Sequence, residues 1–468
     1  MKARSIYPFL SWLSIFLIIL SPQLFAEGMF MDGVYYATVA RNMAEGIGSF
    51  WVPALSDTLG AKFYEHPPLG FGIQSLFFSL FGDHFWVERL YSLLTYLITA
   101  LIMLRFWKLL VGKDLYAYGL ISLFLWITVP KIIWGASANL LENTSMVFIL
   151  LSVYFQMKSF LNRKRSWLAL SGLFILLAFF TKGITALFPL SFAFFYRIRQ
   201  KEYSKVVYDY MMLIGTMTTA LLLLVLIQPV SWESLQRYFE VQVLGSLQSP
   251  ATEENRFYIL NRFLQEVTVI LILLAGVVGF YRWKRKQTEN PAMSPHFWPL
   301  MLCALSGILP IMLSLKQSTF YIIPTFSLIC LAITLLIAAR LNRLFGKMED
   351  GKLYKIWQYT ALVLLPIAIL ANVYFFGKLN RNQEMLSDIK QVIEVIPARS
   401  VIQIHPSMKE QYAYHAYFYR YGKISLSTDK GEYYLSPIES SIENRFPSFE
   451  KLELKTLNLY LKNDNLRH

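Results

Sequence analysis

The sequence predicts an all-α polytopic membrane domain followed by a small soluble α/β domain, and three observations predict it. Of 468 residues 55% are hydrophobic and only 16% charged, with a mean hydropathy of +0.43, more apolar surface than a soluble core of this length can use. Apolar runs recur from the first residues to about Phe376, separated by short basic connectors. After Lys378 the apolar content drops and helix-like and strand-like patches alternate. Residues 1–377 are thus read as the membrane domain, with a first outer loop over 27–87, and residues 378–468 as an α/β domain.

The runs cover roughly Tyr7–Phe25, Val87–Leu110, Tyr116–Ile133, Leu140–Met157, Leu168–Phe180, Ile184–Tyr196, Tyr208–Gln228, Phe263–Tyr281, Phe297–Leu315, Phe320–Ala339 and Tyr354–Phe376, about eleven crossings. The first is too long for a signal-peptide core and lacks a small-x-small cleavage site at Leu24-Phe25-Ala26, so it reads as a retained span. Leu69–Leu80 is too short to cross and is expected in the interface or re-entrant.

There are 44 Lys and Arg against 30 Asp and Glu, and their placement matters more than the sum. Lys2 and Arg4; Lys158, Arg163, Lys164 and Arg165; Arg197, Arg199, Lys201 and Lys205; Arg282, Lys284, Arg285 and Lys286; and Arg340, Arg343, Lys347 and Lys352 all fall on the side of the N-terminus. The positive-inside rule makes that side cytoplasmic. Clusters this short between apolar spans exclude nucleic acid as the reason for the charge. Cys303 and Cys330 lie inside apolar runs and imply neither a disulfide framework nor a metal site.

Trp167–Tyr196 is long for one span and short for two. A single crossing would place one flanking basic cluster outside, so two short helices are expected to meet near Thr181-Lys182-Gly183. Lys182 then lies toward the outer side, at a depth where a lysine costs about 2.5–3.5 kcal/mol and usually has a partner or a purpose. Snorkelling to the surface is the plain alternative.

The first outer loop is the longest polar stretch within the apolar part. Asp32 opens a helical pattern in which Tyr36, Val39, Ala40 and Met43 share one side, while Thr38, Arg41, Asn42 and Glu45 fall elsewhere. A short amphipathic helix on the membrane surface follows from it, with Asp32 either its N-cap or a chemical group. At the far end Phe63-Tyr64-Glu65-His66-Pro67-Pro68-Leu69 is extended by its prolines. Neighbouring side chains then point apart, which gives Glu65 and His66 separate jobs. Under this topology Lys182, the loop from Pro229 to Arg262, the turn Lys316-Gln317-Ser318-Thr319 and the C-terminal domain share the outer face.

This loop, with an acid after the first span, a helix and then Tyr-Glu-X-Pro-Pro-Leu, resembles the membrane glycosyltransferases of the GT-C type. The branch it resembles contains the protein O-mannosyltransferases and the bacterial aminoarabinose transferases. The likeness continues in order through Phe81-Gly82-Asp83 leading to Arg89, Thr181-Lys182-Gly183, Tyr238-Phe239-Glu240-Val241-Gln242-Val243, and Ser314-Leu315-Lys316 followed by Tyr321-Ile322-Ile323-Pro324. It implies a transferase that moves a sugar from a polyprenyl-phosphate-linked donor to a lipid, glycan or protein acceptor outside the membrane, with a bacterial inner membrane as its setting.

Residue by residue, the resemblance makes Asp32 the catalytic base and Glu65 a ligand of a divalent metal ion. It places His66, Arg89, Lys182, Lys316 and Tyr321 near the lipid phosphate or substrate. Two positions depart from the family pattern: Gly33 where a second acid often stands, and His66 where a lysine often stands. The Pro229–Arg262 loop also has no histidine to complete a metal site, so the use of a metal stays open.

Chemistry leads the same way. Nucleotide sugars are cytosolic, so an outward-facing site needs a donor that reaches it through the bilayer. Cleaving the sugar–phosphate bond leaves negative charge that cations must meet, and the attacking hydroxyl needs a carboxylate to take its proton. One direct displacement inverts the anomeric centre. The competing class is a transporter or flippase of a lipid-linked substrate, for which internal repeats and broken midplane helices are expected; no repeat is visible. Neither the sugar nor the acceptor can be read from these residues.

Overall fold

The computed structural model describes residues 6–245, 252–253, 255–285, 291–345, 351–440 and 449–462. It divides into two compact units. Lys2, Arg4, Lys286 and Lys347 of the basic clusters lie outside the described residues.

The first unit takes Met1–Leu24, Glu65–Gly70 and Ser92–Tyr374. Among the described residues eight helices of the chain are long and apolar enough to cross a membrane: Ile6–Leu24, Val87–Leu110, Leu141–Asn162, Ser166–Leu187, Tyr203–Ile227, Tyr258–Lys284, Thr319–Leu344 and Lys355–Phe375. The other three expected crossings take different forms. The run at 116–133 becomes a pair, Lys113–Ile127 and Pro130–Ser137, bent by 78°. Its cause is local, because Val129 precedes Pro130 and is extended (φ −80°, ψ 114°), as a pre-proline residue must be. The run at 184–196 yields a helix of only ten residues, Leu190–Arg199. Phe297–Leu313 is likewise short, its α-helix stopping at Ser306 before a 3₁₀ turn that carries Pro310.

Thr319–Leu344 runs through the middle of this unit, with 89% of its most apolar window buried. Against it the Tyr203–Ile227 helix is 6% buried over the same kind of window. Its outward Leu222, Leu223, Leu226 and Ile227 are residues suited to hydrocarbon rather than water. Leu141–Asn162 and Ser166–Lys182 form a helical hairpin that turns through Arg163 in the left-handed region (φ 54°). Ser171 Oγ donates to Ser152 O at 2.9 Å across it.

The second unit takes Phe25–Tyr64, Phe71–Tyr91 and Phe375–His468, joining the first loop to the C-terminal segment. Its sheet has the order β2-β1-β3-β5-β4, with β1 Val401–Ile404, β2 Ser425–Ser427, β3 Tyr433–Pro437, β4 Phe449–Glu453 and β5 Leu457–Lys462. β1 runs parallel to β2 and β3, and β5 antiparallel to β3 and β4. Ile402, Ile404, Leu426, Leu435 and Leu459 build a core with Leu386, Ile389 and Val392 of the Gln383–Val395 helix and with Tyr417 and Phe418.

The first loop helix, Met31–Ala44, corrects one expectation. It does not present one apolar and one polar side, because Thr38, Arg41 and Asn42 are as buried as Tyr36, Val39 and Ala40. Each buried polar group is satisfied instead. Thr38 Oγ1 donates to Val34 O at 2.7 Å, Asn42 Nδ2 to Ala54 O at 3.0 Å and Leu55 O at 2.9 Å, and Arg41 pairs with Asp83 at 2.8 Å. The polar positions read as a solvated face are hydrogen-bonded interior, the condition under which burial is tolerated.

Candidate active site

The Ser166–Lys182 helix ends where the sequence places a break. Gly183 stands at φ +77°, and a 3₁₀ turn, Gly183–Leu187, follows. Only glycine fits here for a second reason: a Cβ at Gly183 would lie 1.7 Å from the Tyr238 hydroxyl oxygen. That oxygen accepts a hydrogen bond from the Ile184 backbone N–H at 3.3 Å. The Lys-Gly-Ile turn and Tyr238 therefore fix one another. Tyr238 closes the Val230–Tyr238 helix and opens a turn of π-helix, Phe239–Leu244, a geometry frequent at functional sites.

Beside this turn the first unit holds a cavity of about 420 Å³. His66, Lys182, Tyr238, Gln242, Lys316 and Tyr321 supply its polar lining, and Ile184, Phe188, Val243, Pro310 and Ile311 much of its apolar wall. Four of the expected site residues, His66, Lys182, Lys316 and Tyr321, thus meet in one hollow. The Lys182 ammonium lies 3.0 Å from Glu142 Oε1, both side chains being buried, and 5.7 Å from the centre of the Tyr321 ring. The sequence reading overlooked Glu142 and Tyr238. Glu142 was detectable as a lone acid inside the Leu140–Met157 run, and Tyr238 stood in a string quoted for its likeness alone.

Lys316 is carried by a turn that Gln317 holds. The buried Gln317 amide donates to Ser314 O at 2.8 Å and Arg256 O at 3.0 Å, and its carbonyl accepts from Ile259 N at 2.9 Å. His66 follows from its prolines: Pro67 and Pro68 are buried and anchor the segment that leads into the Leu69–Phe81 helix. Burial, and after it the charges of Lys182 and Lys316, hold the His66 imidazole well below its ordinary pKa. With the ring neutral and the Lys182 charge matched by Glu142, the Lys316 ammonium leaves the cavity net positive, which suits an anion.

Glu65 is exposed at the head of the Glu65–Gly70 segment of the same unit. Asp32 belongs to the second unit, half-buried in the first turn of Met31–Ala44. Phe30 holds the N-cap position, so Asp32 stands inside the first turn, where a carboxylate suits the helix dipole, rather than at the cap. Arg89, also of the second unit, is buried and donates to Ala26 O at 3.0 Å and Gly28 O at 2.8 Å, pinning the start of the loop. Among the described residues no three His, Cys, Asp or Glu side chains gather as a metal site. With Glu65 exposed, the donor set does not fit a divalent ion held by protein groups alone, and the cations that the chain supplies at the cavity are its lysines.

A set of long apolar helices, a small mixed-sheet unit built partly from the first loop, and a lysine-bearing cavity define a polytopic membrane protein with the GT-C type of fold. Residues 65–232 match the family model described as dolichyl-phosphate-mannose-protein mannosyltransferase. No curated protein matches the sequence. Among solved structures, ArnT from Cupriavidus metallidurans in the apo state aligns over 96% of this chain and 97% of its own, with a TM-score of 0.64 and 12% identity. The same protein bound to undecaprenyl phosphate aligns over 97% of each chain with a TM-score of 0.64 and 12% identity. The archaeal oligosaccharyltransferase AglB from Archaeoglobus fulgidus, in complex with an inhibitory peptide and a dolichol-phosphate, aligns over 94% of this chain and 70% of its own, with a TM-score of 0.54 and 11% identity. The chain has the ArnT-like GT-C fold and resembles the glycosyltransferases of the mannosyltransferase and ArnT group, as its loop strings indicate.

Proposed function

We propose that this protein is a glycosyltransferase that moves a sugar from a polyprenyl-phosphate carrier to an acceptor hydroxyl at the outer face of a bacterial inner membrane, with its N-terminus cytoplasmic. The observation that carries the reading is the cavity in which Lys182 and Lys316 stand beside a neutral His66 and an apolar wall. A phosphate joined to an isoprenoid needs that pairing of charge and hydrocarbon. The ArnT structure that contains undecaprenyl phosphate supports the same donor class.

In this reading the acceptor oxygen attacks the anomeric carbon as the bond from that carbon to the phosphate oxygen breaks. The electron pair stays on the lipid phosphate, where the two ammonium groups meet the growing charge. The acceptor proton goes to a carboxylate base, the role that the resemblance gives to Asp32, and one displacement inverts the anomeric centre. Tyr321, placed by its contact with Lys182, completes the phosphate side. Glu65 is the one carboxylate the resemblance offers to a metal, and no step here depends on one.

The test is donor turnover by the purified chain in liposomes that contain a polyprenyl-phosphate-linked labelled sugar and envelope lipid as acceptor. Lys316→Met, and Lys182→Met made together with Glu142→Gln so that no buried carboxylate is left unpaired, are expected to weaken donor binding at least tenfold. Asp32→Asn is expected to bind donor normally and turn over at least a hundredfold more slowly, the scale of a lost general base. Turnover by Asp32→Asn at the parent rate removes the base assignment, and donor binding unchanged in both lysine variants removes the cavity as the donor site.

A further inference from the structure

A second cavity, of about 400 Å³, lies between the Val87–Leu110 helix, the Leu141–Asn162 helix and the start of Ser166–Lys182. Trp167 lines it, at the opposite end of the helix that brings Lys182 to the first cavity. Fifteen residues at about 1.5 Å each put some 22 Å of helix between the two. The wall is made of Ile98 and Leu101, each 46% exposed, and the floor carries Arg105 and Lys158. Both cations stand about one turn in from the ends of their helices: Arg105 five residues before Leu110, and Lys158 four before Asn162.

Neither cation has a carboxylate partner among the described residues. Lys158 is instead held over the face of Trp167, its Nζ 3.7 Å from the ring centre, with Tyr154 at 5.7 Å. Such stacking fixes the ammonium in place without neutralising it. A snorkelling lysine needs no cavity. Here a hollow remains between a stacked Lys158 and an exposed Arg105, opening along exposed hydrocarbon toward the basic ends of the spans.

We propose that this groove is a binding site for an anionic phospholipid of the bilayer, its phosphate between Arg105 and Lys158 and one acyl chain along Ile98 and Leu101. Basic pockets between transmembrane helices on the cytoplasmic side take such headgroups. An aromatic belt residue such as Trp167 marks the headgroup level. The inference stands apart from the sugar-transfer reading, since none of its residues serves the first cavity.

The experiment is native mass spectrometry of the full chain in neutral detergent, titrated with phosphatidylglycerol, with phosphatidylcholine of the same acyl chains, or with undecaprenyl phosphate. The parent is expected to retain phosphatidylglycerol about tenfold better than phosphatidylcholine, as a charge-selective site requires. Arg105→Gln with Lys158→Gln should abolish the preference. Arg199→Gln with Lys201→Gln, which removes two exposed cations outside the groove, should keep it. Ile98→Trp fills the groove, leaves both cations, and should lower retention without a loss of charge, which covers the case of a double variant that misfolds. Equal retention of the two phospholipids, or undiminished phosphatidylglycerol retention by the double variant and by Ile98→Trp, overturns the site. So does displacement of phosphatidylglycerol by an equal amount of undecaprenyl phosphate, which would make the groove a carrier-lipid site.

Discussion

The Lys182 ammonium is paired with the Glu142 carboxylate at 3.0 Å inside a helical hairpin, with 6% and 1% of the two side chains exposed. A charge at that depth is stable only while its partner is present, because desolvation of an unpaired ion outweighs what packing can return. Glu142→Leu is therefore expected to destabilise the protein by about 3–5 kcal/mol. Glu142→Leu combined with Lys182→Leu should regain most of that loss. Thermal unfolding in detergent of the two variants and the parent checks the pair; a double variant as unstable as the single one would show that Glu142 stabilises by other means.

Gly183 and Tyr238 give a sharper structural test. An alanine at 183 meets the phenol oxygen at 1.7 Å and the Cζ carbon at 2.5 Å, and it also adopts φ +77°, which costs a non-glycine residue about 1–2 kcal/mol. Gly183→Ala should displace Tyr238, open the Lys182 turn and weaken cavity ligands at least tenfold. Tyr238→Leu in the same chain relieves the clash but not the strain, so partial recovery of stability is expected. Full recovery would mean that backbone strain at 183 is negligible.

Gln317 separates positioning from contact. It does not line the cavity, yet its three hydrogen bonds hold the turn that delivers Lys316. Gln317→Leu should leave the ammonium intact but loosely placed, raising KM for the lipid donor several-fold with a smaller change than Lys316→Met. Parent-like kinetics in Gln317→Leu would assign the turn's geometry to the backbone bonds between Thr252, Glu253 and Leu315.

How much of this was readable in the residues follows from the range of each signal. The break at Thr181-Lys182-Gly183 is local, written in glycine, and was expected; the bend at Pro130 is as local, yet the run at 116–133 was read as one crossing. Val401–Ile404 is one of the strand-like patches expected after Lys378, because its four residues carry their own pattern. The Tyr412–Gly422 helix was not expected, since its aromatic residues are buried on several sides and leave no clean apolar stripe. The buried Arg41, Thr38 and Asn42 were misread for the complementary reason. The partners of Arg41 and Asn42, namely Asp83, Ala54 and Leu55, lie 42, 12 and 13 positions away and nothing in the helical spacing announces them, while Thr38 is satisfied within its own helix by Val34 O. The joining of the first loop to a segment more than three hundred residues later, as when Tyr417 Oη donates to Met29 O at 2.8 Å, is a property of topology that no window of sequence contains.

His66 gives a pH dependence with a definite sign. Burial and the nearby lysines hold its folded pKa well below the ordinary 6.5, while the unfolded chain titrates near that ordinary value. Above 6.5 both states are neutral at this position and it adds no pH dependence. Below 6.5 the unfolded chain takes up a proton that the folded one refuses, so stability falls with pH down through the folded-state value. Comparing unfolding temperatures between pH 8 and pH 5, His66→Gln should lose less stability on acidification than the parent. Parallel curves would assign the acid sensitivity to other groups.

Asp83 bridges Arg41 and Arg420 in the second unit, and Arg420 reaches on to Glu88 at 2.9 Å. Burial raises the Asp83 pKa, but Arg420 and Arg41 outweigh it and hold the carboxyl below the usual range. With the folded pKa below the unfolded one, the stabilisation is present above about pH 3.8 and is lost as pH falls through the folded value. Asp83→Asn keeps the shape and removes the charge, leaving Arg41, only 1% exposed, with Asn42 and the Tyr419 carbonyl as its neutral partners. A loss of about 1.5–3 kcal/mol is expected, the worth of hydrogen bonds between charged groups, together with a flatter stability profile below pH 4. Arg420 keeps Glu88, so Asp83→Asn should cost less than Arg420→Gln, which leaves the buried Glu88 without its ion-pair partner and Asp83 with Arg41 alone. Denaturant unfolding of the full chain that ranked these two variants in the opposite order would show that Arg41, rather than Arg420, is the residue Asp83 serves.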